Sequence, residues 1–172
     1  TFLLTTSKNK DEIWDSLPME VQEQLIARKM KFYIINAISL AEEIGLGTRI
    51  NTIMQTAFFV ISGIIPEAEA IEAIKAELKK TYIKKGEDVV KMNYASVDKA
   101  LQNIVEVKVP GKVTSTIRMR PPVPEDAPEF VKKVTARMIA NKGDYLPVSA
   151  MPADGTWPTG TTQYEKRNIG VY

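Results

Sequence analysis

The sequence predicts an α/β fold in three parts: a partial parallel sheet with crossover helices, a helix-rich middle, and a Pro-rich extended C-terminal arm. Three observations lead there. Strand and helix patterns alternate through the first 46 residues. Apolar residues then recur near helical spacing from Ile50 to Ile104. Eight of the ten prolines fall from Pro110 onward, where they interrupt any long helix. On that basis residues 1–109 form an α/β domain, 110–145 a Pro-rich connector with one helix, and 146–172 an extended interdomain arm.

Each element has its own warrant. Thr1 to Thr6 is a short apolar strand closed by the polar run Ser7-Lys8-Asn9-Lys10. Asn9 followed by Glu12 fits a capping box, after which a short helix turns Ile13, Trp14 and Leu17 inward. Pro18 suits the first turn of the next helix, where a missing N–H costs nothing, and that helix carries Val21, Leu25 and Ile26 on one face. Lys31 to Asn36 is β-branched and aromatic, a second strand. Ala37, Leu40, Ala41 and Ile44 return to helical spacing. Strand-helix-strand order of this kind implies parallel pairing with a right-handed crossover.

The helix expected over Ile50 to Ile64 is apolar on nearly every side, the pattern of a buried rather than an amphipathic helix. Gly63 and Pro66 end it and begin the next. That helix, Pro66 to Lys80, has acids early and lysines late, which complements its macrodipole. A third runs from about Glu87 to Ile104. In the Pro-rich region one helix survives, about Ala127 to Ala140, with Phe130, Val131, Val134 and Met138 as its stripe. The last 30 residues show no periodicity.

Composition removes several classes of chemistry. With no Cys and no His, the chain has no disulfide, no thiolate or imidazole metal site, no cysteine nucleophile and no Ser-His-Asp triad. The 23 basic and 21 acidic residues leave a net charge of +2, too balanced for a nucleic-acid surface. The longest apolar stretch, Ala57 to Ile65, falls well short of the ~20 residues a membrane span needs. The chain opens on Thr1 inside a strand and stops at Tyr172 without a tail, so a piece of a longer protein is expected.

Gly45-Leu-Gly-Thr-Arg-Ile-Asn51 is the stretch richest in chemistry. Two glycines allow close backbone approach, a helix start offers free N–H groups, and Arg49 binds anions bidentately. The pattern suits a phosphate or a nucleotide-like group. Spacing alone favours a plainer reading: Gly45 ends one helix, Thr48 caps the next, and Arg49 faces solvent. Asn93 is a poor helix former placed mid-helix, retained for a polar contact, most simply an internal hydrogen bond. The lysines from Lys75 to Lys91 read as a solvated face rather than an anion patch. Neither Glu42-Glu43 nor Glu125-Asp126 makes an acid/base pair, since the former diverge along a helix and the latter cap one. The polar run Thr159 to Arg167 reads as a linker to a neighbouring domain.

Taken together, Gly45 to Gln55, Gly86-Glu-Asp-Val-Val-Lys-Met-Asn93, Pro124-Glu-Asp-Ala-Pro-Glu-Phe130, Leu146-Pro-Val-Ser-Ala150 and Asp154 to Arg167 closely resemble the pyruvate:ferredoxin (flavodoxin) oxidoreductases. The likeness runs in order from Phe2 to about Ile169. It implies that residues 1–109 are the later part of that family's gamma-type domain, followed by the start of a connecting segment. The resemblance implies a large cytoplasmic homodimer that carries thiamine diphosphate, Mg and [4Fe–4S] clusters outside this segment. Such an enzyme converts pyruvate and coenzyme A to acetyl-CoA and carbon dioxide, passing electrons to ferredoxin or flavodoxin. For this piece it implies contacts to coenzyme A from Asn51 and Asn93, with Arg49 as a phosphate partner, and packing against other domains of the same enzyme. No catalytic residue and no metal ligand is expected here, nor any nucleic-acid or membrane partner. A different class also fits the pattern: a non-catalytic assembly module that only holds partner domains together.

Overall fold

The computed structural model describes residues 1–165. The chain divides into two compact units, Thr1–Arg118 and a second beginning at Met119.

The first unit is built on a three-stranded sheet in the order β1-β2-β3. Strand β1 (Phe2–Thr5) pairs parallel with β2 (Phe32–Ile35), Phe2 opposite Phe32 and Thr5 opposite Ile35. Between them lie α1 (Ile13–Ser16) and α2 (Met19–Ala27), the crossover that a parallel pair requires. Asn9 Oδ1 accepts from the N–H groups of Asp11 and Glu12 at 2.9 and 3.1 Å and turns the chain toward α1. Glu12, however, holds the N-cap position with no side-chain bond, so the reciprocal bond of the expected capping box is not among those of the described residues. Pro18 sits one place before the first helical residue of α2, and its carbonyl takes the N–H groups of Val21 and Gln22.

After β2 come α3 (Ala37–Ile44), α4 (Asn51–Ser62), α5 (Glu67–Tyr82) and α6 (Glu87–Asn103), and the chain then returns to the sheet as β3 (Val105–Val107). β3 runs antiparallel to β2, with Phe32 opposite Val107 and Ile34 opposite Val105. It was not among the expected strands. Val105-Glu106-Val107 does alternate, but a three-residue strand carries too short a pattern to stand out from the end of a long helix.

The period of two in the strands divides the core between two faces. Phe32, Ile34 and Val107 bury against Ile13, Trp14, Leu17 and Leu25 of the crossover, with Phe2 stacked on Phe32 at 5.5 Å between ring centroids. Ile35 and Leu3 face the other way, onto Ala37, Leu40 and Ala41 of α3, Ile53 and Ala57 of α4 and Ala100 of α6. Each fully buried Ile, Leu or Phe on these faces contributes about 1.5–3 kcal/mol relative to exposure. A third cluster, Ile74, Leu78 and Val97, seals α5 against α6.

Two features differ from the sequence expectation or extend it. α4 is not buried all round: Thr52, Ile53, Thr56 and Ala57 face inward, while Phe58 is 50 % exposed. Its outer face is as apolar as its inner one, and nothing among the described residues covers it fully. β1 is also bonded on one side only. Phe2 N donates to Lys31 O and Thr6 N to Ile35 O, so the main-chain groups of Leu3 and Thr5 point to the opposite edge. Among the described residues no strand lies beyond that edge.

The second unit holds the expected helix of the Pro-rich region. Residues 129–139 are helical, but Val131–Thr135 is a π-helical turn that leads into α7 (Ala136–Ile139). Val123, Ala127 and Val131 form its buried cluster, with Tyr164 packed on them, and Trp157 meets Phe130 edge-to-face at 4.9 Å. The stretch expected as an extended arm holds two single 3₁₀ turns up to Tyr164, Val148–Ala150 and Thr161–Tyr164, and a third, Gly143–Tyr145, lies just before it. Asp154 accepts from both the N–H and the hydroxyl of Thr156, the N–H chiefly, and the two hold its carboxyl below the usual aspartate value. Lys166 and Arg167, which close the polar run picked out in the sequence, lie outside the described residues. No helix among the described residues is long and apolar enough to cross a membrane.

Candidate functional site

The Gly45–Asn51 loop owes its shape to the helix before it. Asn36 Oδ1 accepts from Ser39 N at 3.2 Å and starts α3. At the other end Gly45 takes a φ of 85°, its N–H bonds Glu42 O, and Leu46 N reaches back to Ala41 O at 2.8 Å. This is a Schellman ending, in which the residue after the left-handed glycine buries its side chain; Leu46 is 4 % exposed. A side chain other than Gly at position 45 meets the left-handed penalty of about 1–2 kcal/mol.

The anchored Leu46 carbonyl then organises the rest of the loop. Arg49 N and Arg49 Nε both donate to it, at 3.3 and 3.2 Å. The guanidinium is thereby fixed by one nitrogen and exposed, with its two terminal nitrogens free of partners among the described residues. Thr48 does not cap α4. Ile50 occupies that position, and no side chain satisfies the first N–H groups of the helix. Asn51 is the first residue of α4; its side chain is exposed and makes no hydrogen bond among the described residues.

Asn93 stands in a different environment. It is 4 % exposed, in the middle of α6 where that helix packs on α4. Its Nδ2 donates to Val89 O at 2.8 Å, and its Oδ1 accepts from Thr52 Oγ1 at 3.4 Å. Thr56 Oγ1 donates to Thr52 O, and Ser96 Oγ to Asn93 O. Four buried polar residues therefore form a seam between α4 and α6, each with a partner. The sequence reading found Asn93 but not Thr52, Thr56 or Ser96. Their spacing, i to i+4 on α4 and i to i+3 on α6, was the available signal.

The two motifs therefore meet at one place. Thr52, next to Asn51, touches Asn93, and a Cβ built on Gly45 would lie 3.6 Å from Met92 Sδ. Arg49 and Asn51 present free donors and an acceptor to solvent, whereas the Asn93 amide is largely engaged inside. The group can bind and orient a polar, anionic ligand. It contains no nucleophile poised beside a base. Among the described residues no three acidic side chains gather as a metal site, and the sequence offers no Cys or His, so the residues here do not fit an iron–sulfur cluster.

A family model described as pyruvate ferredoxin/flavodoxin oxidoreductase matches residues 1–103. A second, described as the EKR domain of unknown function, matches residues 116–170. Over 169 residues the chain is 50% identical to a pyruvate-flavodoxin oxidoreductase of Rhodospirillum rubrum, and the match covers 98% of the chain and 14% of that relative. A probable pyruvate-flavodoxin oxidoreductase of Escherichia coli is 48% identical over 98% of the chain. A pyruvate:ferredoxin oxidoreductase of Moorella thermoacetica is 45% identical over 99% of the chain. The chain spans about 14% of the length of these relatives, so it corresponds to a segment of a larger multidomain protein.

Proposed function

Because this chain belongs to the pyruvate ferredoxin/flavodoxin oxidoreductase family, we propose that it is the part of such an enzyme that holds coenzyme A and packs against the catalytic domains. The overall reaction is oxidation of pyruvate with coenzyme A to acetyl-CoA and carbon dioxide, with electrons passed to ferredoxin or flavodoxin. The same reading makes the intact enzyme a cytoplasmic homodimer. Thiamine diphosphate, Mg and the [4Fe–4S] clusters supply the carbon and electron chemistry from other domains. This segment supplies none of the bond-making groups.

The observation that carries the reading is a match over 98% of the chain, at half identity, to a segment of a far longer oxidoreductase. The loop geometry supports the residue roles. Arg49 is held by Nε and offers both terminal nitrogens, as an anion partner for a phosphate of coenzyme A requires. Asn51 offers an amide that can donate and accept along the pantetheine or nucleotide part. Asn93 acts from behind, keeping the start of α4 in register on α6 through Thr52, with its second amide N–H left for the ligand.

The edge of β1, unpaired among the described residues, and the exposed Phe58 favour one element of the assembly-module reading: in the full polypeptide this segment also serves as a packing surface. The two roles separate by mutation in the intact enzyme. Asn51→Ala removes an exposed amide, so it leaves folding alone and raises the half-saturating coenzyme A concentration by about tenfold, the loss of one or two hydrogen bonds. Pyruvate and thiamine diphosphate dependence stay unchanged. An unaltered coenzyme A requirement in both Asn51→Ala and Arg49→Ala would leave packing as the segment's role.

A further inference from the structure

A second polar site lies at the other end of α3 from the Gly45 loop, and α3 has eight residues, which puts it about 12 Å away along the helix. There the chain leaves β1 through Ser7-Lys8-Asn9-Lys10 and leaves β2 through Asn36, and the two exits bound a cleft of about 390 Å³. In parallel α/β sheets this is the ligand-binding edge, because consecutive chain exits open a crevice beyond the carboxyl ends of the strands.

The chemistry of the lining is one-sided. Lys8 and Lys10 carry no ion pair among the described residues, and the hydroxyls of Ser7 and Ser39 make no hydrogen bond there. Asn9 and Asn36 each spend the carbonyl oxygen on main-chain N–H groups, Asn9 on Asp11 and Glu12 and Asn36 on Ser39. Their amide NH₂ groups are left as donors. Six side chains thus offer donors and two of them offer positive charge. The one carboxylate of the lining, Glu43, is neutralised by Lys99 at 2.7 Å. A neighbouring cleft shares Lys10 but sets Asp11, Asp15 and Glu106 against Lys108 and Lys112, so it has no such preference for one sign.

We propose that the cleft between the β1 and β2 exits binds the phosphate group of a small phosphorylated molecule, with Lys8 and Lys10 as the charged partners and Ser7, Asn9, Asn36 and Ser39 as neutral donors. Uncompensated donors around a cleft of this size suit a tetrahedral oxyanion with many acceptor lone pairs. The site is independent of the coenzyme A reading, since none of Arg49, Asn51 and Asn93 lines it.

The test is a titration of the full chain with inorganic phosphate at constant ionic strength, followed by amide NMR shifts. Saturable shifts confined to residues 6–10 and 36–39 are expected. Lys8→Gln with Lys10→Gln weakens binding by about tenfold or more, as loss of charge-assisted hydrogen bonds implies. Lys79→Gln with Lys84→Gln, both exposed and outside the cleft, leaves binding unchanged. Equal weakening by the two pairs, shifts spread over all lysine-rich surfaces, or no saturable shift at all would each overturn the site.

Discussion

At the scale of single residues, the most consequential side chain is one whose partners the sequence does not advertise. Gln22 has no exposed surface, and its amide serves both ends of a long-range contact. Nε2 donates to Trp14 O at 2.6 Å, while Oε1 accepts from Thr114 N and Ser115 N at 2.9 and 3.0 Å. It thus fastens the segment after β3 to the α1–α2 crossover. Gln22→Leu keeps the volume but strands two main-chain N–H groups and a carbonyl. It should lower the stability of the chain by about 2–4 kcal/mol in urea unfolding, more than an ordinary surface change. A change below about 0.5 kcal/mol would show that the 110–118 segment does not depend on this clamp. Helical spacing does set Gln22 on the face of Leu25 and Ile26 and Gln24 away from it, but it does not say what the buried amide bonds. The partners that give Gln22 its role stand some 90 residues away, and periodicity reads only local neighbours.

Among elements, α3 was the most legible: its apolar spacing and Gly45 ending set bounds of Ala37–Ile44, which the structure keeps, while the cap is Asn36, read from the sequence as the end of the second strand. The Gly45 ending also shapes the Gly45–Asn51 loop, because Gly45 delivers Leu46 to the core and the Leu46 carbonyl then holds Arg49. Gly45→Ala should therefore cost about 1–2 kcal/mol in stability, the left-handed penalty, and also loosen Arg49. The measurable signature is a rise in the half-saturating coenzyme A concentration of the intact enzyme, with no such rise for Gly155→Ala, whose φ is equally positive but lies in the second unit. Equal effects of the two would sever the loop from the ligand. Elsewhere the elements were less readable. The composition of α4 gave its apolar character but not which side is covered, because that depends on chain packed against it from outside the helix. β3 is held by pairing with β2 across about 70 residues of sequence, which three residues cannot announce.

For the whole molecule, the unfinished surface and the share of the relatives that the chain spans are two views of one property. A parallel strand whose outer main-chain groups are unpaired is an invitation to another strand, and natural folds cover or interrupt such edges. Here the edge carries no charge in Phe2–Thr5, and beside it Thr1, Leu3, Phe58 and Ile61 line an apolar recess of about 340 Å³. The relatives are some seven times longer than the matched segment, so further polypeptide is available to cover that edge. In the isolated chain no other described segment covers that surface, and burial of apolar area at about 25 cal/mol per Å² favours contact with a second copy. Sedimentation velocity on the isolated chain should therefore show concentration-dependent association. Phe58→Lys should shift it toward monomer, and because Phe58 is already half exposed the melting temperature should move by no more than a few degrees. The same substitution in the intact enzyme places a charge where apolar packing is required, so there it should reduce the yield of folded protein. A chain that stays monomeric at every concentration, together with an intact enzyme indifferent to Phe58→Lys, would mean that this face is a true exterior.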